Sequence, residues 1–130
     1  MAKPILPAFL SCQGPHLSDA EKRLFASANP LGFCLFSLGC ENIKSREQVR
    51  KLIKEIKETV GRDNVLIAVD QEGGRVRRLV EPEFTPLASA ADLQTEEMAR
   101  RHACLASHDM KSCGINVNFA PVLDVEYPFT

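Results

Sequence analysis

Apolar residues along this chain fall into short unbroken runs separated by longer segments in which they recur at helical spacing. Residues 5–10 form the first short run and predict a strand. Ser18 stands three residues before Glu21, the spacing of a capping box, in which each side chain satisfies the other's free helix-start donor. Ala20, Leu24, Phe25 and Ala28 then follow on what is expected to be one buried face, and Asn29-Pro30 ends the helix. Residues 31–36 are a second strand-length run.

Ser45 and Gln48 open the next helix. Val49, Leu52, Ile53, Ile56 and Val60 lie on a single stripe, with lysines and glutamates opposite and Gly61 at the left-handed C-cap position. Residues 65–69 are apolar without alternation, as a parallel strand covered on both faces requires. The stretch after them reads as polar. Thr95 with Glu96 and Glu97 begins a third long helix closed by Lys111 and Gly114, and residues 115–119 form a fourth strand ended by Ala120-Pro121. The order is βαβαβαβ, an α/β chain with a parallel sheet that is either doubly wound or wrapped into a barrel. Both architectures place ligands at the carboxyl ends of their strands, so chemistry is sought there.

Composition narrows the function classes. The 130 residues carry 16 basic and 17 acidic side chains, a net charge of −1, which gives no basic surplus for nucleic acid and favours small neutral ligands. No apolar stretch approaches the ~20 residues of a membrane span, and the N-terminal run is too short for a secretory signal, so a cytoplasmic protein is expected. Five cysteines (Cys12, Cys34, Cys40, Cys104 and Cys113) are scattered without a CxxC pair, and are expected to be reduced and mostly structural. No spacing suits a metal, and no cofactor is implied.

The richest chemistry follows the third strand, in Asp70-Gln71-Glu72-Gly73-Gly74-Arg75-Val76-Arg77-Arg78. A carboxylate directly after a parallel strand reaches the open end of the sheet, two glycines allow a tight turn, and arginines bring planar forks of donors. Acceptors and donors within nine residues suit a polyhydroxylated ligand. Other roles stand beside this one. Asp70 is also placed to cap the following turn, Glu72 and Arg75 to form a local ion pair, and Arg77 to be a solvated charge. His102 reads as a packed helix residue, and His16 and His108 as surface residues. Asp70 and Asp124, at the ends of neighbouring strands, would suit a retaining carboxylate pair if they approached to about 5 Å.

The string IAVDQEGGRV, with Arg78 beyond it, and the block NFAPVLDV at 118–125 resemble glycoside hydrolase family three, in its bacterial β-N-acetylhexosaminidase branch. The strand at 31–36 and Glu47-Gln48 lie at matching separations, so the resemblance covers nearly the whole chain. It implies the N-terminal half of a (β/α)8 TIM barrel over residues 1–130, with Asp70 and Arg78 as substrate-binding residues and Asp124 as mainly architectural. It implies retaining release of terminal N-acetylglucosamine from peptidoglycan fragments in cell-wall recycling. The family's Lys-His pair, histidine acid/base and aspartate nucleophile have no counterpart in these 130 residues. No catalytic residue is therefore assigned, and the chain alone is expected to be inactive and to self-associate through open sheet edges. Leu38-Gly39 stands where the family often shows Arg-Asn. The alternative is a non-catalytic sugar-binding or partner-dependent half-barrel.

Overall fold

A computed structural model describes residues 3–37, 39 and 41–124. Strands β1 (Leu6–Leu10), β2 (Pro30–Leu35), β3 (Leu66–Val69) and β4 (Val117–Asn118) alternate with helices α1 (Asp19–Ala28), α2 (Arg46–Val60) and α3 (Glu96–Cys113). All pairings are parallel and the sheet order is β1-β2-β3-β4. That order decides between the two architectures that alternation alone leaves open, in favour of the barrel the family resemblance implies. A doubly wound sheet reverses its strand order at a switch point, whereas successive right-handed crossovers stepping in one direction keep every helix on one face. Here α1 packs on α2 and α2 on α3, the winding of consecutive barrel units.

The sheet is also curled. In a flat sheet β1 and β4 would lie about 14 Å apart, three strand spacings. Yet the rings of Phe9 on β1 and Phe119 just past β4 meet edge to face at 5.7 Å between centroids on the helix-free, concave side. Gly32 on β2 makes room there, since a Cβ would approach the Phe9 ring to 2.7 Å.

Between sheet and helices lies the core. Phe33 and Leu35 of β2, Ile67 and Val69 of β3, and Val49, Leu52 and Ile56 of α2 are completely buried. The α2 stripe is thus the middle of the core, and Val60 packs at its margin. The caps form as expected: Ser18 accepts from the Glu21 N–H while Glu21 returns to the Ser18 N–H at 2.8 Å, and Gly61 adopts φ +72°.

Three expectations are corrected. On α1 only Phe25 is buried; Leu24 is 57% exposed and Ala20 is exposed, because among the described residues the helix packed most closely against α1 is α2, on one side of it. The stretch between β3 and α3 is not merely polar: Leu79, Phe84 and Leu87 are buried and pin it to the body. It also holds a 3-10 turn at Ala90–Asp92. The fourth strand is shorter than residues 115–119, because side chains replace part of its ladder. The Asn116 Oδ1 accepts the Ile67 N–H at 2.7 Å, and its Nδ2 donates to the Val65 carbonyl at 3.0 Å.

A buried ion pair ties the loop to both later helices. Asp109 of α3, 2% exposed, accepts from the Thr85 N–H at 2.7 Å and from Arg46 at the start of α2 at 3.1 Å. Arg46 also stacks on the Phe84 ring, 4.7 Å from its centroid. Burial opposes the Asp109 charge, but the Thr85 and Arg46 donors outweigh it and hold the carboxyl below its ordinary value.

Candidate saccharide site at the carboxyl end of the sheet

Asp70 is the first residue past β3, and register places it where the sequence reading put it, at the carboxyl end of the sheet. Residues on the concave side alternate with core residues, so Cys34 on β2 and Phe36 just past it share the face with Asp70. The chain then turns back within a few residues. The N–H groups of Glu72 and Gly73 both reach the Val76 carbonyl, at 3.0 and 3.1 Å. Gly73 has φ +105°, and a Cβ there would overlap the Ala88 carbonyl oxygen and come within 2.7 Å of the His102 ring. The glycine pair therefore answers a real demand: positive φ together with close approach to the segment at 87–89.

The turn brings Arg78 back to Asp70. The guanidinium Nη2 lies 3.2 Å from Asp70 Oδ2, with the two side chains 20% and 25% exposed, and it stands over the Phe36 ring at 5.8 Å. Both partners keep exposed surface at the open end of the sheet. Arg78 Nε is buried and has no hydrogen-bond partner. The Cys34 thiol belongs to the same cluster. Burial pushes its pKa up, the Asp70 charge adds to the effect, and Arg78 opposes it. It therefore remains a neutral thiol at neutral pH. The arrangement presents an ionised acceptor, a fork of donors and an aromatic ring, a set suited to a sugar bearing neighbouring hydroxyls.

The other residues singled out from sequence are placed as follows. Asp70 pairs with Arg78 rather than serving only as a turn cap. Glu72 and Arg75 form no ion pair; Arg75 is exposed, and the Glu72 carbonyl instead meets His102 Nε2 at 3.0 Å. His102 is thus a loop anchor as well as a packed helix residue. Arg77 is not a free charge but pairs with Glu81 at 3.0 Å. Asp124 is exposed and, among the described residues, makes no hydrogen bond or ion pair, so neither an architectural role nor a carboxylate pair with Asp70 is built here. Of the cysteines, Cys12 and Cys113 are buried, Cys34 is half-buried and Cys104 is exposed; Cys40 and Leu38 lie outside the described residues. Among the described residues no cluster of side chains could hold a metal ion, and no helix is long and apolar enough to cross a membrane.

Two residues of this region were missed. Gln71, 1% exposed, accepts at Oε1 from the Arg78 and Leu79 N–H groups at 2.9 and 3.0 Å and donates to the Leu79 carbonyl at 3.1 Å. Asn118 of β4 accepts the Gln71 N–H at 3.0 Å and donates to the Gln71 carbonyl at 3.1 Å. Gln71 is a single amide in a polar string and Asn118 a polar position of an alternating strand, and hydrophobic periodicity assigns neither a buried partner.

The model of the glycosyl hydrolase family 3 N-terminal domain matches residues 18–128. The chain belongs to this family. A beta-hexosaminidase from Psychromonas ingrahamii is 36% identical over 126 residues, covering 92% of this chain and 36% of that protein. One from Idiomarina loihiensis is 37% identical over 120 residues, covering 87% and 35%. Among solved structures, a family 3 β-N-acetylglucosaminidase from Paenibacillus sp. FPU-7 aligns with a TM-score of 0.80 at 28% identity, over 90% of this chain and 23% of that one. NagZ from Neisseria gonorrhoeae, solved in complex with N-trifluoroacetyl-D-glucosamine, aligns with a TM-score of 0.76 at 29% identity, over 95% and 37%. The chain spans about a third of the length of the curated family 3 relatives it matches.

Proposed function

We propose that this chain supplies the sugar-gripping half of a β-N-acetylhexosaminidase-type glycoside hydrolase, with Asp70 and Arg78 binding hydroxyls of a terminal N-acetylglucosamine. The observation that carries the reading is the Asp70–Arg78 pair, held at the carboxyl end of β3 beside Phe36 and partly open to solvent. The family relatives named beta-hexosaminidase, and the neighbour that binds an N-acylated glucosamine, support that sugar class. In this reading the substrate is a peptidoglycan fragment in cell-wall recycling and the protein works in the cytoplasm, without nucleic-acid or membrane partners.

Mechanistically the site binds and orients. A carboxylate accepts from a sugar hydroxyl while the neighbouring guanidinium donates, so one ring is held in a fixed direction at the mouth of the sheet. Retaining hydrolysis also needs a nucleophile and an acid/base, and none of the residues described at this site fills those roles. The 130-residue chain by itself is accordingly proposed to bind the sugar without turning it over. The outer strands of the described sheet, β1 and β4, each leave an edge open, and self-association through them belongs to the same proposal.

A chromogenic N-acetylglucosaminide assay, run beside equilibrium dialysis with N-acetylglucosamine, tests this reading. Binding without turnover is expected. Turnover that Asp70→Ala abolishes would overturn the inactivity of the isolated chain, and absence of binding would overturn the sugar site. Size-exclusion chromatography tests the edges, with a strictly monomeric chain contradicting self-association.

A further inference from the structure

Nothing on the Arg78 side chain itself accounts for its placement. Its contacts are a partly open ion pair with Asp70 and a ring face at 5.8 Å, and its Nε is buried without a hydrogen-bond partner. Long arginine side chains lose much rotamer freedom when held, so two such contacts define a position weakly. The backbone from which the side chain leaves is another matter. Gln71 grips it with three hydrogen bonds, two of them to consecutive N–H groups at residues 78 and 79, from a side chain that is 1% exposed. Asn118 in turn holds the Gln71 peptide groups on both sides, donating to one and accepting from the other. A chain of amides therefore runs from β4, through the end of β3, to the root of the arginine.

We propose that Gln71 is a positioning residue of the saccharide site. Backed by Asn118, it fixes where the Arg78 guanidinium stands relative to Asp70 and so sets the affinity for the sugar, without touching the sugar itself. The proposal rests on the saccharide reading above. It goes beyond that reading in assigning the geometry of the Asp70–Arg78 pair to a buried amide rather than to the pair's own attraction. It also ties the site to β4, since loosening Asn118 releases the peptide groups that orient Gln71.

The test uses Gln71→Met, which keeps length and burial while removing the amide, in the wild-type and Arg78→Ala backgrounds of the 130-residue chain. N-acetylglucosamine affinity is read by NMR titration. Gln71→Met is expected to weaken binding about tenfold in the wild-type background, because the three hydrogen bonds that fix the backbone at Arg78 are lost together. It should change binding less than about twofold once Arg78 is gone, because contributions routed through one residue are not additive. Equal losses in both backgrounds, or an unchanged affinity in Gln71→Met, would overturn the proposal.

A second readout separates this inference from the sugar reading. The Arg78 Nε–H resonance, assigned by its loss in Arg78→Lys, should exchange slowly with water in the wild type and rapidly in Gln71→Met. If the wild type binds no sugar, the saccharide reading fails while this exchange comparison still decides the role of Gln71. A resonance equally protected in Gln71→Met overturns that role. Should Gln71→Met fail to fold, Asn118→Ala takes its place, with the same expected losses and the same overturning results.

Discussion

Replacing Asp109 by asparagine removes one charge from the best-buried ion pair among the described residues while keeping the size of the side chain. The carboxylate is 2% exposed, so solvent does little to screen it, and it serves two donors on different elements: the Thr85 N–H at 2.7 Å and Arg46 at 3.1 Å. Removing one partner of such a pair leaves Arg46 facing a neutral group, a change that typically costs about 3 kcal/mol. For a domain of this size that corresponds to a fall in melting temperature of about 10 °C. The assay is urea unfolding of both proteins across a pH series. The folded Asp109 carboxyl lies below its ordinary value of 3.8, so its stabilisation is fully present above that value and is lost as pH falls through the lower folded one. The stability difference should therefore be flat above about pH 5 and shrink only below pH 3.8. A difference that stays constant into strong acid, or that is already shrinking near neutrality, would refute the assignment of the stabilisation to the charged carboxylate.

Other perturbations follow from the same geometry. Gly73→Ala should destabilise the chain by at least about 2 kcal/mol in a thermal melt and abolish sugar binding, because φ is +105° and the added methyl meets the Ala88 carbonyl. Ile56→Ala, at a fully buried position of α2, should cost about 3 kcal/mol in urea unfolding by opening a cavity against the sheet. Asn42→Ala should cost about 2 kcal/mol, since this buried amide donates to the carbonyls of Cys12 and Gly14 and accepts from the Phe36 N–H. Leu24→Gln, on the exposed side of α1, should leave the melting temperature within about 2 °C.

What sequence made legible was local. The α2 stripe from Val49 to Ile56 is buried as its spacing implies, and the Ser18 and Gly61 caps depend on neighbours within one turn of helix. The Asp70 placement follows from where an apolar run ends. Periodicity alone did not give the winding, because barrel and doubly wound sheets share the same local alternation and differ only in which strands become neighbours; the barrel was legible only through the family resemblance of the blocks around Asp70 and Asn118. Burial of Leu24 failed for a related reason: a helical stripe shows which residues can be buried, and the number of packing partners decides which are. The short β4 escaped notice because Asn116 supplies from its side chain the hydrogen bonds that a strand supplies from its backbone. Gln71 and Asn118 were invisible because hydrophobic periodicity does not say which polar side chain is buried and hydrogen-bonded.

If Asp70 and Arg78 together grip a sugar at the end of β3, as proposed, Asp70→Asn probes that grip most directly. An NMR titration with N-acetylglucosamine should give saturable shifts in the wild type, confined to Cys34, Phe36 and residues 70–78. In Asp70→Asn those shifts should disappear while the core resonances stay where they were. Equal affinity in the two proteins, or wild-type shifts gathered at the opposite end of the strands, would contradict it.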